Sequence, residues 1–151
     1  MPVSVGIHIE ARGLNRALSG LDQVQRSLTD TSPLWDHVIE NAVIPKLREV
    51  FRTNGYGQWP PRQDNLPHPL LRKSYDLFNS LTDRAAPGHV ERRTASSLEY
   101  GTDIPYADIH EFGAGPVPPR PYFQSAVDAG LDNDIAREVD RYFENRFNQI
   151  L

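Results

Sequence analysis

Apolar and polar residues alternate strictly at the start of the chain. Between Val3 and Ile9 every second residue is valine or isoleucine, and Ser4, Gly6, His8 and Glu10 fill the other positions. A period of two predicts a half-buried strand. His8 then falls on the face that meets water.

Two stretches with helical spacing follow this strand. In residues 14–28, mainly leucines recur every three or four positions, which predicts a helix with one apolar stripe. Gly20 lies inside it and weakens it by about 1 kcal/mol relative to alanine. In residues 32–52, Ser32 is the expected N-cap, Pro33 the first helical residue, and Pro45 a kink. The apolar face of this second helix comprises Leu34, Trp35, Val38, Ile39, Ala42, Val43, Leu47, Val50 and Phe51.

The second half of the chain alternates helices with a predicted hairpin. Helical spacing returns from Leu70 to Leu81, and His89–Thr94 and Ser97–Thr102 are two short strands that we expect to pair antiparallel. A short helix is expected after Pro121, and a last one that Asn133 caps. The last helix carries Ile135, Val139, Tyr142, Phe143, Phe147 and Ile150 on one side. Arg92 and Arg93 are expected on a solvated strand face.

Two segments combine prolines and glycines with aromatic residues. Residues 53–69 contain two glycines and four prolines, and residues 100–123 contain three glycines and five prolines. Proline fixes φ and glycine permits φ above zero, so such segments hold one irregular shape when their aromatic residues are buried. Arg120 lies between Pro119 and Pro121, a permanent charge on stiff backbone. We interpret both segments as shaped interaction surfaces.

The order of elements predicts an α+β fold, a single domain over residues 1–151. Helices are expected on one face of a small, mostly antiparallel sheet, with long loops rich in proline and glycine. The free edges of such a sheet either are blunted or pair with another chain. The absence of cysteine excludes disulfides and thiolate metal sites.

The charge and hydropathy of the chain limit the classes of partner that it is expected to bind. The chain has 16 basic and 20 acidic residues and a net charge of −4, so it has no global attraction to nucleic acid or to an anionic membrane. No apolar run approaches a membrane span of about 20 residues, and the start lacks the pattern of a secretory signal, which predicts a cytoplasmic protein. The arginines and lysine of the middle third are interpreted as surface charge, with DNA contact as the alternative: Arg62, Arg72, Lys73, Arg84, Arg92, Arg93 and Arg120.

The acidic residues around His110 offer the only hint of metal chemistry. A zinc-hydrolase helix needs a second histidine four residues after His110, but that position is Ala114. An oxygen-rich magnesium or calcium site from Asp103, Asp108, His110 and Glu111 would support a small metal-assisted hydrolase. The alternative is that Asp108 and Glu111 face water while Ile109 and Phe112 face inward. The chain has no nucleophile elbow, phosphate-binding loop or dinucleotide fingerprint, so we expect neither catalysis nor a cofactor.

Several motifs in order resemble one known family. Trp59 with its prolines is followed by Leu70-Leu71-x-Lys73-Ser74-x-x-Leu77-x-x-Ser80-Leu81, Tyr100-Gly101-Thr102, Tyr106-Ala107-x-Ile109-His110-x-Phe112-Gly113 and Pro118-Pro119-Arg120-Pro121-Tyr122-Phe123. This order resembles the Mu-type phage virion morphogenesis family, or tail completion proteins, from Trp59 to Phe123. The family usually has a Thr-Gly or Ser-Gly pair at Ser74-Tyr75 and often glutamine at Glu111.

The resemblance implies a structural virion protein that completes the tail or joins it to the head. Such proteins form rings, typically sixfold, against tail-tube or connector proteins, and are found in the virion and, during assembly, in the host cytoplasm. A ring needs heterologous contacts, for which we expect the 53–69 loop and the 113–121 segment. Arg120 either pairs with a carboxylate of the next subunit or of the adjoining ring, or only braces its own fold. On the first alternative, charge reversal at Arg120 abolishes ring formation and leaves the monomer folded. The expected surface comprises Tyr56, Trp59, Arg62, Tyr106, His110, Phe112, Arg120 and Tyr122.

Overall fold

Among the residues that the structure describes, three strands form one antiparallel sheet, and the strand that comes last in the sequence lies in the middle. The computed structural model describes residues 4–10, 29–62, 70–71 and 75–150. Strands β1 (Val5–Glu10) and β2 (His89–Arg93) both pair with β3 (Ser97–Thr102), which gives the order β1-β3-β2. The predicted strand at the start of the chain and the predicted hairpin are therefore confirmed.

The two faces of the sheet differ as the alternation predicts. Leu98, Tyr100 and Thr102 of β3 point into the core and are buried. His8 and Arg92 are exposed on the opposite face, where each approaches the carboxylate of Glu99, at 3.7 and 3.3 Å. Arg93 departs from the prediction, because it points to the core side and bonds Asp36 at 2.6 Å instead of lying on a solvated face.

The central helical segment is helical throughout but changes its winding once. Helix α1 (Ser32–Val38) continues through a π-helical turn (Ile39–Val43) into α2 (Ile44–Arg52). Pro45, where the sequence predicts a kink, lies in the first turn of α2, directly after this π-helical turn. There the missing N–H of proline is tolerated. All nine predicted apolar positions are buried, and Trp35 is a core residue as expected.

The predicted N-terminal boundaries of two helices are wrong. Thr31, and not Ser32, is the N-cap of α1, and no side chain caps it; the Ser32 N–H bonds Asp30 Oδ1 at 3.0 Å. Helix α3 (Asp76–Thr82) begins later than Leu70, because Leu71 and Tyr75 have φ of 58° and 61°, outside the helical region.

The C-terminal third, which the structure describes up to residue 150, contains three further helices, α4 (Ala107–Phe112), α5 (Phe123–Asp128) and α6 (Leu131–Ile150). Helix α5 is where Pro121 predicted it. Helix α6 begins at Leu131, so Asn133 lies in its first turn and is not its cap. Gly130 has a φ of 95° and separates α5 from α6, a conformation that glycine adopts without strain.

Some predictions fall outside the described residues. These are the helix of residues 14–28, the part of the long loop at residues 63–69, and Arg72, Lys73 and Ser74.

One core joins the helices to the sheet. Helix α3 contacts β2 and β3, while α6 packs on α1 and the π-helical turn. The Trp35 indole N–H donates to the Thr94 carbonyl oxygen at 3.0 Å, which fastens α1 to the hairpin turn. The α+β prediction, with an antiparallel sheet and helices, is confirmed.

A partly buried ion network links α1 to β2. Arg84 bonds Asp36 and Glu91, each at 2.7 Å, and Arg93 bonds the same two carboxylates. Burial would raise the pKa of Glu91, but the two guanidinium groups and the imidazole of His89 outweigh it and lower that pKa from 4.5 to about 2. The charged form of Glu91 therefore stabilises the fold.

Replacing Glu91 with glutamine is expected to make stability less dependent on acid pH. Because the folded pKa is depressed, the contribution of Glu91 is complete above pH 4.5 and is lost as the pH falls toward 2. Near neutral pH the variant should lose roughly 2 kcal/mol of unfolding free energy, after allowing for screening at this partly exposed site.

Urea unfolding across this pH range measures the effect. The difference between wild type and Glu91→Gln should shrink steadily as the pH falls. Glu99→Gln, which removes an exposed partner of Arg92, is the control and should change stability little at any pH. A constant difference across the range would contradict the stabilising role of the Glu91 charge.

Candidate interaction surface

Helix α4 is attached to the core through a buried glutamate. The Glu111 carboxylate accepts hydrogen bonds from the N–H groups of Tyr122, Phe123 and Gln124, at 2.6, 3.2 and 3.0 Å. These donors lie at the start of α5, where a helix leaves its first N–H groups without internal partners. Burial raises the pKa of Glu111, and the three N–H donors offset this only in part.

Because of this attachment, the side of α4 that faces the core is not the one predicted from the sequence. Glu111 is buried, whereas Ile109 is 36% exposed and Phe112 is 72% exposed. The expectation that Ile109 and Phe112 face inward is therefore wrong. The reason is that capping three N–H groups of α5 requires a carboxylate inside, and the opposite side of the helix then turns to solvent.

Arg120 fastens the two proline-rich segments to each other. Its Nε donates to the Pro60 carbonyl oxygen at 2.9 Å, and its Nη2 donates to that of Pro61 at 3.0 Å. Its backbone N–H donates to the His110 carbonyl oxygen at 2.7 Å. The structure thus shows Arg120 bracing its own fold. Charge reversal there would separate these segments as well as alter a surface, so it is not a clean test of ring formation.

A tryptophan forms the second link between the same segments. The Trp59 Nε1–H donates to the Pro121 carbonyl oxygen at 3.0 Å. Trp59 and Tyr122 are both buried, and both rings pack on Phe51, at centroid distances of 5.4 and 6.0 Å. These two predicted surface residues are core residues, because they anchor their loops to α2.

The chain reaches Trp59 through a left-handed turn. All four residues from Asn54 to Gly57 have φ between 53° and 77°. The Gly57 N–H donates to the Thr53 carbonyl oxygen at 2.8 Å, which closes the turn. A non-glycine residue in this conformation costs about 1–2 kcal/mol, so the two glycines of Asn-Gly-Tyr-Gly lower the strain. At Gly55 a Cβ atom would lie 2.4 Å from the Trp59 ring, which excludes any other residue there.

Tyr56 is the exposed aromatic residue of this turn. Its hydroxyl donates to Glu49 Oε2 at 3.1 Å and its N–H donates to Thr53 Oγ1 at 2.9 Å. Burial of the phenol, followed by the nearby Glu49 carboxylate, raises the pKa of Tyr56 to about 12. The side chain is therefore a neutral donor held against α2.

The remaining predicted surface residues gather around α4. Tyr106 is 37% exposed, and its ring lies edge-on to that of His110 at 5.7 Å. Burial, and then the charge of Arg120, lower the pKa of His110. Burial, and then the charge of Arg62, lower the pKa of Arg120. The region around α4 thus comprises Tyr106, His110, Phe112, Arg120 and Arg62. Trp59 and Tyr122 lie in the core instead.

The alternative metal site does not form. Glu111 uses both oxygens on backbone N–H groups, and Asp108 Oδ1 accepts from the Ile109 N–H at 2.9 Å. Within the described ranges, no three His, Asp or Glu side chains are grouped so that they could hold a metal ion. Asp103, Asp108, His110 and Glu111, all of which the structure describes, are therefore not grouped as metal ligands.

No protein-family model, curated protein or solved structure matches this chain. The described helices include none that is long and apolar enough to cross a lipid bilayer. The function must therefore be inferred from the region around α4 and from the motifs of residues 59–123.

Sequence reasoning placed Tyr106 and Phe112 on this surface, although one alternative turned Phe112 inward, and it missed Ile109 and the supports of the region. Arg120 and the prolines on both sides were recognisable as a stiff surface. Glu111 as a cap of α5 was not, because the carboxylate and its donors are 11–13 residues apart and no local pattern joins them. The Asn-Gly-Tyr-Gly run was the available signal for the left-handed turn.

Proposed function

We propose that this chain is a structural virion protein, the subunit of a homo-oligomeric ring that completes a phage tail or joins the tail to the head. The observation that carries the proposal is Phe112, a phenylalanine 72% exposed on a helix that is otherwise rigidly attached. A large apolar side chain held in solvent by its own support is typical of a contact with another protein.

The rigidity of the region supports the same function. Glu111, Arg120 and Trp59 tie α4 and both proline-rich segments to the core through hydrogen bonds of 2.6–3.2 Å. A surface held in this way loses little conformational entropy on docking, which favours repeated contacts between identical subunits. The motifs from Trp59 to Phe123, with their resemblance to tail completion proteins, add the phage context, with tail-tube or connector proteins as neighbours.

Native mass measurement and negative-stain imaging of the purified protein test the proposal. We expect a closed ring, with six subunits as the first expectation, that persists on dilution. A protein that remains monomeric over the whole accessible concentration range would overturn the proposal. Salt-dependent retention on DNA would instead support a DNA-contacting neck factor.

A further inference from the structure

The left-handed turn contains the only asparagine of the sequence that is followed directly by glycine, Asn54-Gly55. In such a pair the backbone nitrogen of the glycine can attack the side-chain carbonyl carbon of the asparagine, because glycine has no Cβ atom to obstruct the approach. A bond from the Gly55 nitrogen to Asn54 Cγ forms, and the side-chain amide leaves as ammonia together with the Gly55 N–H proton. Water then opens the resulting succinimide at either carbonyl, which leaves aspartate or isoaspartate at position 54.

In the folded chain the attacking nitrogen is already engaged. The Gly55 N–H donates to the Val50 carbonyl oxygen at 2.8 Å, and Gly55 is buried with the Trp59 ring lying against it. The nitrogen must lose this proton to attack, so its hydrogen bond to Val50 has to break first. The Asn54 side chain, in contrast, is exposed to solvent.

The turn cannot release Gly55 without releasing the residues that follow it. The Gln58 N–H donates to the Gly55 carbonyl oxygen and the Trp59 N–H donates to that of Asn54, each at 3.1 Å. The Trp59 indole is in turn bonded to the Pro121 carbonyl oxygen at 3.0 Å. Opening of the turn therefore has a cost in free energy, which is paid locally and not by unfolding of the whole chain.

Isoaspartate at position 54 would change the path of the main chain. The chain would run through the former side chain, which adds one methylene group, and the former Asn54 carbonyl would become a free carboxylate group beside it. The Trp59 N–H then loses the main-chain carbonyl that it bonds in the native turn. Because Arg120 donates to the carbonyl oxygens of Pro60 and Pro61, directly after Trp59, displacement of Trp59 also removes a support of the region around α4.

We propose that Asn54-Gly55 is a site of spontaneous deamidation that the closed left-handed turn suppresses, and that isoaspartate at this site releases Trp59. The rate of the reaction is then set by how often the turn opens, and not by the exposure of the Asn54 side chain. The inference concerns each folded chain by itself and does not depend on the proposed ring.

Incubation of the full chain at mildly alkaline pH, with and without urea, tests the suppression. Peptide mapping by mass spectrometry follows the mass change of the peptide that contains position 54, and Asn54→Gln gives the background. The folded wild type should react at least about 30-fold more slowly than the chain in urea, the factor for an opening cost of about 2 kcal/mol. Equal rates in the two states would overturn the proposal.

Variants of the turn test which motion limits the reaction. Trp59→Leu removes the indole that lies against Gly55, and the milder Thr53→Val removes the acceptor of the Tyr56 N–H while keeping the shape of the side chain. Both should speed deamidation of the folded protein. Gly101→Ala, which disturbs β1 and β3 away from the turn, is the control and should leave the rate near that of wild type. If Gly101→Ala sped the reaction as much as Thr53→Val, unfolding of the whole chain would limit it and the proposal would be wrong.

The consequence for Trp59 is tested on the modified protein itself. Ion exchange separates the deamidated form, which carries an additional negative charge, and Asn54→Asp supplies the same charge on a normal main chain. Aspartate adopts the left-handed region much as asparagine does, so freshly purified Asn54→Asp should keep the wild-type melting temperature and the wild-type Trp59 indole N–H signal in NMR spectra. The isoaspartate form should melt at a lower temperature, and its Trp59 indole N–H should exchange faster with solvent. An isoaspartate form with the melting temperature and indole signal of wild type would show that Trp59 is not released.

Discussion

Replacing Glu111 with alanine is expected to lower the free energy of unfolding by about 3–5 kcal/mol. The substitution leaves the N–H groups of Tyr122, Phe123 and Gln124 without their acceptor, and each buried donor without a partner costs about 1–3 kcal/mol before partial rescue by water. Urea or thermal unfolding measures the loss. Amide hydrogen exchange should show lower protection at the start of α5.

A second substitution at the same position separates size from hydrogen bonding. Glu111→Gln keeps the shape and one acceptor oxygen, so it should lose only about 1–2 kcal/mol. Glu144→Ala, at an exposed position of α6, is the surface control and should stay within about 0.5 kcal/mol of wild type. Equal stability of Glu111→Ala and Glu144→Ala would show that the carboxylate does not hold α4 and α5 together.

Replacing Gly101 with alanine is expected to cost about 3 kcal/mol by forcing β1 away from β3. Gly101 is paired with Gly6 across the two strands, and a Cβ atom at Gly101 would lie 2.2 Å from the Val5 carbonyl oxygen and 2.5 Å from the Gly6 Cα. Both neighbours are backbone atoms, which cannot move without disturbing the strand pairing. Unfolding measurements and amide exchange in β1 would show the effect.

The control for this clash is a glycine in open space. Gly115 has a φ of 54°, and a Cβ atom there would have no neighbour within 4 Å. Gly115→Ala should therefore cost only the strain of a left-handed residue, about 1 kcal/mol. If Gly101→Ala were no worse than Gly115→Ala, the close approach of β1 and β3 would not be the reason for glycine at position 101.

The location of Gly6 and Gly101 on the outer face of the sheet explains why glycine is tolerated at both positions. Gly6 and Gly101 lie on the side of the sheet where His8 and Arg92 are exposed and Glu99 is half-buried, so no core packing is lost at these positions. The alternation of β1 was readable from the sequence, but the pairing of one glycine with another was not. Register depends on the partner strand, in which Gly101 lies 95 residues after Gly6 along the chain.

Helix α4 shows most clearly where sequence reasoning stopped. Phe112 and Ile109 are apolar, and the general bias places such residues inside. Glu111 is acidic, and the same bias places it in water. The start of α5 reverses both positions. Leaving its three buried N–H donors without the Glu111 carboxylate as acceptor would cost more free energy than exposing the Phe112 ring.

The sequence by itself determined the elements whose cause is periodic: the first strand, the hairpin, the nine buried positions of the central helical segment and the α+β class. Those features follow from side chains at fixed spacings, because burial of the apolar face stabilises a helix or strand whichever element it packs against. Only the tertiary structure decided which face of α4 is exposed, which groups Arg120 hydrogen-bonds and where α3 and α6 begin. These depend on single hydrogen bonds and backbone angles between segments far apart in the chain, for which no local pattern exists.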